Sequence, residues 1–535
     1  MPLTVTSSKG TVGLSIESTS GETVLLASTT ALSTNTGISN PPGSAGGRVH
    51  VIINAWVTSG TFTITGVGSP SNSEGPITVA APTSQQTQSQ TGYSFEYVST
   101  NAYTSITNIT TTGGVTGATI TVKGIQAAKF NIPVTAFKSD RKMPQYSPNE
   151  FSGLMARDKR MVTQNVDTSI DNLDSTFYGD LSLYWIYMML GSPTWVTLPA
   201  SPLSIVANAA ITASMTIANQ PTAPAMKLIV VATGFTGNPA ITITGTQYGL
   251  TVSETITITA NGTYYSANAY STITTIGGTS NATTVAITGV FGWKGTVTSE
   301  ATKQTAAIEH WDGSASWIHP FSFASDGDMT FKTKGEIALT AKGFAQDKLA
   351  IGDRTTNPLQ VSRVTSLGIP LLDMPLAGWQ TQVYIDSITG TAGTTAFLDP
   401  DEEIKITLKT PGEQHWTFNN QQQFTRAYAL KYECTVDLTY DIVNLLQNEQ
   451  FRQNLKQYLQ VAAIGEYIGT TGGTAYYKGW TWTLPVRYDG EYGQEAQVGK
   501  GNVMAKPKLR TEYDASLGGS YQVVIVTRQP PTYNS

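Results

Sequence analysis

Short runs of alternating hydrophobic and polar residues fill most of the chain. Phe62 and Ile64, for example, alternate with three threonines between residues 61 and 65. Turns rich in Gly, Asn, Ser and Pro separate these runs at intervals of roughly ten residues, which is typical of antiparallel sandwiches and barrels. The pattern therefore predicts a mainly β protein.

One pattern of runs and turns occurs twice. The phrase STNAYTSITNITTTGG at residues 99–114 returns as SANAYSTITTIGG at residues 266–278, and a run ending in TITG precedes each copy. The order of the flanking runs also agrees, and the loop-forming stretches NPPGSAGG and NQPTAPA lead into the two copies. We expect two inserted Ig-like β-sandwiches, at residues 47–127 and 219–292.

Matched residues of the two copies are hydrophobic. An Ala-Tyr pair precedes an isoleucine by the same distance in both, at Tyr103 and Ile106 and again at Tyr270 and Ile273. We expect these to be shared core positions rather than parts of a ligand-binding site.

The residues outside the two copies fall into two related halves. In the first half, an alternating run through Val166 and Ile170 precedes the apolar segment LSLYWIYMML. In the second half, a run through Val436 and Leu438 precedes a segment whose apolar residues have helical spacing. These apolar residues are Ile442, Leu445, Leu446, Phe451 and Leu455.

Further downstream, SASWIHPFSFASDGD in the first half resembles KGWTWTLPVRYDGE in the second. We therefore predict two β-barrel or sandwich domains with one helix each. The predicted divisions are 1–46, 128–218 and 293–352 for the first domain, 353–378 for a connector, and 379–535 for the second domain.

Charge narrows the classes of function. Charged residues make up 13% of the chain and the net charge is −5, so the chain lacks the clustered Lys and Arg with which proteins bind nucleic-acid phosphates. The most basic stretch, residues 138–160, has Asp140, Glu150 and Asp158 interleaved with its basic residues. We interpret it as a solvated loop or a subunit contact.

Cys434 is the only cysteine, so no intrachain disulfide forms. It alternates with polar residues in YECTVDL, and a buried structural thiol is expected rather than a nucleophile. The N-terminal MPLTVTSSKG lacks the features of a signal peptide, and LSLYWIYMML is about half as long as a membrane-spanning helix. We expect a chain without a membrane segment that folds in a reducing cytosol.

We predict that the chain is not an enzyme, because it has no recognisable catalytic, cofactor-binding or metal-binding pattern. Its four histidines are scattered, and only His310 and His319 share a neighbourhood. The stretch GQEAQVGKG departs from a phosphate loop in its glycine spacing and in the residue after Lys500. SDGD and DPDEE lack the length of a calcium loop, and turns account for both.

The residues outside the two copies, called the host portion of the chain below, resemble the tail tube proteins of long-tailed bacteriophages. The resemblance rests on DLSLYWIYMMLGSPTW before a break, EIALTAKGF at the end of the first half and MPLAGWQTQVYIDS at the start of the second, in that order. It covers most of the host and none of the inserted modules. It implies a strand-rich barrel with one helix, duplicated in one chain, that serves as a structural virion protein.

From this resemblance we expect self-assembly. Homotrimeric rings with pseudo-sixfold symmetry, or hexameric rings as the alternative, would stack into a hollow tail tube through which the genome leaves the capsid. The expected partners are further copies of the chain, other tail proteins at the tube ends, and genomic DNA that passes through the lumen without specific binding. The chain would be assembled in the host cytoplasm and reside in the virion, with the inserted sandwiches projecting outward toward the host surface.

The most acidic cluster is DPDEE, with Asp399, Asp401, Glu402 and Glu403. Acidic lumen walls repel DNA phosphates within a Debye length of roughly 8 to 10 Å, which is one role for these side chains. A solvated hairpin tip before IKITLK is the other role, and we favour it.

Two other classes of protein fit the same composition. A tail fibre or baseplate component shares related barrels, and a cell-surface adhesin also contains tandem sandwiches. The absence of signal-peptide features and the duplication of the host portion of the chain, with one helix predicted in each half, argue against the adhesin. A tube protein polymerises into hollow cylinders of uniform width, whereas a fibre or an adhesin stays a discrete oligomer.

Overall fold

A computed structural model gives the fold of the chain. The residues that it describes are 11–17, 23–30, 47–54, 56, 58–69, 71–81, 94–113, 115, 118–126, 130–132, 134–142, 145–146, 151–152, 155–156, 162–163, 167–222, 224–312, 315–353, 357–358, 375–397, 400–410, 412–415, 424, 426–429, 432–441, 453, 455–489, 494–496, 503–505 and 507–529.

Strands dominate the described residues. The strands up to the middle of the first half are β1 (Thr11–Glu17), β2 (Thr23–Thr30), β3 (Gly47–Asn54), β4 (Gly60–Ser69), β5 (Ser73–Val79), β6 (Ser94–Val98), β7 (Ala102–Gly113), β8 (Thr119–Gln126), β9 (Phe130–Ile132), β10 (Ala136–Lys142), β11 (Gln145–Tyr146), β12 (Phe151–Ser152), β13 (Met155–Ala156), β14 (Val162–Thr163), β15 (Asp167–Thr176) and β16 (Thr194–Leu198). The strands that follow, up to residue 358, are β17 (Leu203–Ile211), β18 (Met226–Thr233), β19 (Ala240–Gln247), β20 (Leu250–Thr257), β21 (Gly262–Tyr270), β22 (Thr272–Gly278), β23 (Asn281–Val290), β24 (Gly292–Thr298), β25 (Thr305–Trp311), β26 (Ser316–Lys332), β27 (Ala338–Ala345), β28 (Leu349–Ala350), β29 (Gly352–Asp353) and β30 (Asn357–Pro358). The remaining strands are β31 (Thr381–Ser387), β32 (Pro400–Lys409), β33 (Gly412–His415), β34 (Arg426–Ala429), β35 (Glu433–Asp441), β36 (Gln457–Thr471), β37 (Thr474–Tyr488), β38 (Gln494–Ala496), β39 (Val503–Ala505), β40 (Lys508–Thr511) and β41 (Gln522–Thr527).

The described part of the chain also contains one α-helix, α1 (Leu183–Met189), and a 3₁₀ turn at Gly378–Gln380. All residues of α1 are buried. A helix that is hydrophobic on every side belongs inside a core rather than on a surface, and α1 packs against β1, β25, β26 and β27. The mainly β fold predicted from the sequence is therefore confirmed.

The first half is a sandwich of a four-stranded and a five-stranded sheet. One sheet has the order β10-β15-β27-β26, and the other has the order β9-β1-β25-β26-β28. The long strand β26 belongs to both sheets, because its first part pairs with β25 and β28 and its second part pairs with β27. Phe321, between the two parts, has a φ of 49°, a conformation that is uncommon for residues other than glycine.

The second half repeats this arrangement for the seven strands other than β9. Its sheets have the orders β32-β35-β40-β37 and β31-β36-β37-β41, and β37 is the strand that both sheets share. Beyond β40, the strand β39 also pairs with β35, and β38 pairs with β39. The two halves are therefore copies of one fold.

The halves are joined edge to edge. The second part of β26 pairs with β32, from Asp326 opposite Lys409 to Lys332 opposite Glu403. In addition, β24 of the first half pairs with β41, the last strand of the second. Strands of both halves are thus hydrogen-bonded into one continuous network.

A single hydrophobic core fills both halves. Trp185 of α1 stacks on Trp480 with ring centroids 6.0 Å apart, and it meets Trp482 edge-on at 6.4 Å. Phe177 packs on Trp480 at 4.4 Å. Since all four rings are fully buried, each half completes the core of the other.

Two further sandwiches have cores of their own. The first has the sheets β2-β8-β3-β6 and β7-β4-β5, and the second has the sheets β17-β23-β18-β21 and β22-β19-β20. Seven strands of each sandwich match one to one in order. The first sandwich has further pairings, because β6 also pairs with β29, β29 pairs with β30, and β3 pairs with β7 at Gly47 and Tyr103. Tyr103, Ile106, Tyr270 and Ile273 are all buried in these cores, which confirms that they are shared core positions.

Each sandwich begins one strand earlier than the sequence suggested. β2 and β17 lie before the expected boundaries at 47 and 219, yet they pair with β8 and β23, the last strands of their sandwiches. The loop-forming stretches therefore connect the first and second strands of each sandwich. A connection between host and insert would need the same Gly- and Pro-rich turns, so composition does not distinguish the two cases.

Some predicted features lie outside the described residues. They are Val166, the second-half helix positions Ile442, Leu445, Leu446 and Phe451, and most of the connector at 353–378.

Candidate assembly surface

One face of the continuous sheet is polar. Along the second part of β26, Met329 and Phe331 are buried, whereas Asp328, Thr330 and Lys332 alternate with them and reach solvent. Such alternation places one face on the core and leaves the other in water. The exposed or half-buried charged residues of this polar face include Lys138, Asp140, Lys142, Asp167, Asp171, Asp174, Asp326, Asp328, Lys332, Lys342, Glu403, Lys405, Lys409, Glu433, Asp437, Arg487, Lys508 and Arg510.

Charges of both signs are paired across the strands of the polar face. Lys138 lies 2.8 Å from Asp171, and Lys405 lies 3.1 Å from Asp328. The lysines and carboxylates are partly exposed, and such pairs contribute about 0–1 kcal/mol each. The pairs therefore make a hydrophilic surface of mixed charge without adding much stability.

The acidic cluster predicted from the sequence lies partly on this face. Glu403 is exposed and its carboxylate lies 3.8 Å from Lys332 across the junction of the halves. Asp401 and Glu402 lie in β32, and Asp399 lies outside the described residues. Residues 401–403 are thus part of a strand and not of a hairpin tip, because β32 extends to Glu403 along β26 and to Pro400 along β35.

The polar sheet ends in two open edges in the described part of the chain. At one end β10 pairs with β15 alone, and at the other β38 pairs with β39 alone. Each open edge has a counterpart in the other half. β32 of the second half corresponds to β10 of the first, and the second part of β26 corresponds to the end of β37 together with β38. These two counterparts pair with each other inside the chain. An unpaired edge presents N–H and C=O groups that another strand can use.

The repeated Ser-x-Asn-Ala-Tyr phrase forms the same corner in both inserted sandwiches. The hydroxyl of Ser99 accepts a hydrogen bond of 2.8 Å from the backbone N–H of Val49, and the hydroxyl of Ser266 does the same for Leu228. Each corner is also held by a glutamate outside the phrase. These glutamates are Glu74 in the first sandwich and Glu254 in the second, and both accept from backbone N–H groups of the corner. The phrase is therefore structural.

A buried ion pair anchors the first sandwich to the host. Arg48 of β3 donates from Nε and Nη2 to the two carboxylate oxygens of Glu309 on β25, at 2.7 and 2.8 Å. Its Nη1 donates to the carbonyl of Ser99 at 2.6 Å. Arg48 is 0% exposed and Glu309 is 1% exposed. This pair cannot be predicted from the sequence, because 261 positions separate the two residues and neither lies in a motif.

His310 and His319 do share a neighbourhood, as the sequence suggested. Their rings lie 5.2 Å apart and both contact Phe137. His319 Nε2 lies 2.9 Å from the Ser139 hydroxyl. Burial lowers the pKa of His310 to about 4, and burial lowers the pKa of His319 well below its usual value. The two rings are therefore neutral groups in the core.

This neutral pair makes stability sensitive to acid. Since the unfolded chain protonates His310 near pH 6.5 and the folded chain only near 4, the free energy of unfolding falls as pH drops through this window. His310 alone accounts for roughly 3 kcal/mol of that loss. Calorimetric melting across this pH range measures it. We expect His310→Phe to remove much of the acid sensitivity and His415→Gln, on the exposed end of β33, to leave it unchanged; equal acid curves for all three proteins would contradict the assignment.

Cys434 is a buried thiol, as expected from the sequence. Burial raises its pKa to about 12, so almost no reactive thiolate forms at neutral pH. We expect a thiol reagent such as Ellman's reagent to modify the chain only after guanidinium chloride has unfolded it. Rapid modification of the native protein would show that β35 opens on the timescale of the assay.

Within the described residues, no group of three or more His, Cys, Asp or Glu side chains is placed to hold a metal ion. No described helix has the length and hydrophobicity needed to cross a bilayer. No protein-family model and no curated protein matches the chain.

Proposed function

We propose that this chain is a structural virion protein that polymerises, through stacked rings, into the hollow tail tube of a long-tailed bacteriophage. The observation that carries the proposal is the repeated four-stranded unit with complementary free edges. Inside the chain, the last strand of the first unit pairs with the first strand of the second. The same contact between copies joins β37 and β38 of one to β10 of the next.

A head-to-tail contact of this kind closes into a ring when the rotation between units divides a full turn. Each chain supplies two such units, so a trimer presents six and has pseudo-sixfold symmetry. A ring of six chains is the alternative. A tail fibre or baseplate protein, one of the two alternative classes, with the adhesin as the other, would use related barrels without forming a continuous tube.

In the ring, the polar face lines the lumen. Its hydrophilic surface of both charge signs offers DNA phosphates neither a basic track nor an apolar wall, so the genome slides without specific binding. Glu403 belongs to this wall.

The inserted sandwiches then lie on the outside. The first sandwich is anchored to Glu309 on β25 and packs through Val98 and Ile125 on Ile318 of β26. These contacts are made with the second sheet of the first half, which is the layer behind the polar sheet. The second sandwich is inserted between β16 and β24, in the hairpin attached to β41. Contact with the host surface is a role that this position allows.

Blocking the β10 edge tests the proposal. The N–H of Thr135 bonds to the carbonyl of Asp174 on β15, so the next N–H, that of Ala136, points to the open side. Ala136→Pro removes this donor on an edge where proline is tolerated by the fold. We expect the variant to remain in discrete small species in sedimentation velocity. The matched control, Ala136→Val, keeps the N–H and assembles as the wild type does; normal assembly of Ala136→Pro would argue against pairing at this edge.

A further inference from the structure

A cleft of about 610 Å³ lies where the second sandwich meets both halves of the host. The sandwich contributes Lys227 and Tyr248, the first half contributes Asp180, and the second half contributes Lys478 and Arg528 among others. Three cationic side chains therefore converge on one cavity.

The two carboxylates of the cleft are already engaged. Asp180 accepts from the backbone N–H of Arg528 at 2.8 Å and lies 3.4 Å from the Lys478 ammonium. Glu466 accepts from the Tyr248 hydroxyl at 2.8 Å and lies 3.2 Å from the same ammonium. The lining of the cleft thus has three cationic side chains and two carboxylates, and a third carboxylate, that of Glu254, also attracts Lys227.

Two hydrogen-bond donors of the Arg528 guanidinium have no acceptor among the described residues. The residue is 4% exposed, and its Nη1 is engaged by Tyr248 and Glu466. Its Nε and Nη2 are buried without an acceptor among the described residues. An unsatisfied buried donor is destabilising, and Nε with Nη2 is the fork of a guanidinium that binds a carboxylate through two parallel hydrogen bonds.

Lys227 corresponds to Arg48 of the first sandwich but lacks, within the residues that the structure describes, a carboxylate partner like the one that Arg48 has. It holds the position that Arg48 holds there, and its ammonium donates to the carbonyls of Ser266 and Ala267, as Arg48 donates to the matching carbonyls. Arg48 is completed by the carboxylate of Glu309. Lys227, 2% exposed, forms no ion pair with a carboxylate in the described part of the chain and lines the cleft instead.

Part of the cleft lining is apolar. Trp379, in the 3₁₀ turn, is 76% exposed and lines the cavity beside Pro375 and Leu376. An exposed tryptophan ring is a platform on which another ring or an apolar body can stack.

We propose that this cleft binds a small organic carboxylate, whose charged group pairs with Arg528 and Lys227 and whose ring lies on Trp379. The carboxylate takes the place that Glu309 takes in the first sandwich. The site does not depend on tube assembly, since all its residues come from one chain.

Isothermal titration with sodium benzoate tests the site, with benzamide as the uncharged analogue and inorganic phosphate as the small anion. We expect benzoate to bind once per chain, and both comparison compounds to bind at least about tenfold more weakly, because only benzoate combines the charge with the ring. Absence of saturable benzoate binding, or equal binding of benzamide or phosphate, would overturn the proposal.

Two variants locate the binding. Arg528→Gln and Trp379→Leu should each lower the affinity for benzoate by about tenfold. Trp379→Leu keeps the measurement meaningful if Arg528→Gln does not fold, since the tryptophan is exposed. Arg487→Gln is the matched control, because this arginine pairs with Glu512 away from the cleft, and it should bind benzoate normally. Unchanged affinity in Trp379→Leu would place any binding elsewhere and refute the assignment.

Discussion

Replacing Glu309 by glutamine is expected to lower the free energy of unfolding by about 3–5 kcal/mol, the usual cost of breaking a buried ion pair. The change leaves the guanidinium of Arg48 charged and fully buried without an anionic partner. Because Arg48 belongs to the first sandwich and Glu309 to the host, the loss should appear as earlier detachment of that sandwich. Urea unfolding followed by limited proteolysis measures both.

The control for this prediction is Glu403→Gln. Glu403 also pairs with a cation, but its pair with Lys332 is half exposed, so its loss should cost no more than about 1 kcal/mol. If Glu309→Gln proves as mild as Glu403→Gln, the Arg48 contact is not what holds the sandwich.

Replacing Trp480 by alanine is expected to lower the free energy of unfolding by about 3–5 kcal/mol, because it leaves a cavity in the core. Trp480 is a second-half residue, yet its ring contacts Phe177 and Trp185 of the first half. The cavity should therefore weaken α1 together with β37. Hydrogen exchange measured by mass spectrometry should show faster exchange in both segments.

Trp379→Ala is the matched control, since it removes an exposed tryptophan and should change stability by no more than about 0.5 kcal/mol. Faster exchange confined to the second half of Trp480→Ala would mean that the halves have separate cores.

Much of this fold can be predicted from local patterns. Alternation identifies strands such as β4 and β26, and the repeated phrase identifies the two sandwiches because Tyr103 and Tyr270 occupy equivalent buried positions. Pairing between distant strands cannot be predicted in this way. The contact of β26 with β32 depends on which edges meet in space, and nothing in either strand encodes its partner.

The same limit applies to the sites. Pro400 and a run of charge before the apolar alternation favour a turn at Asp401, Glu402 and Glu403. The segment instead lies in β32, where Glu403 pairs with Lys332 and Pro400 pairs with Tyr440. Arg48 and Lys227 each lie in an apolar run, and only the assembled structure shows that one is completed by a carboxylate while the other lines a cleft.

Electron micrographs of the purified recombinant chain give the most direct test of ring closure through the β10 and β38 edges. We expect hollow cylinders of one width, whose end-on views average to three chains and six similar lobes per ring. Discrete particles that never stack, or cylinders in which the β10 edge of each chain lies exposed to solvent, would contradict the account.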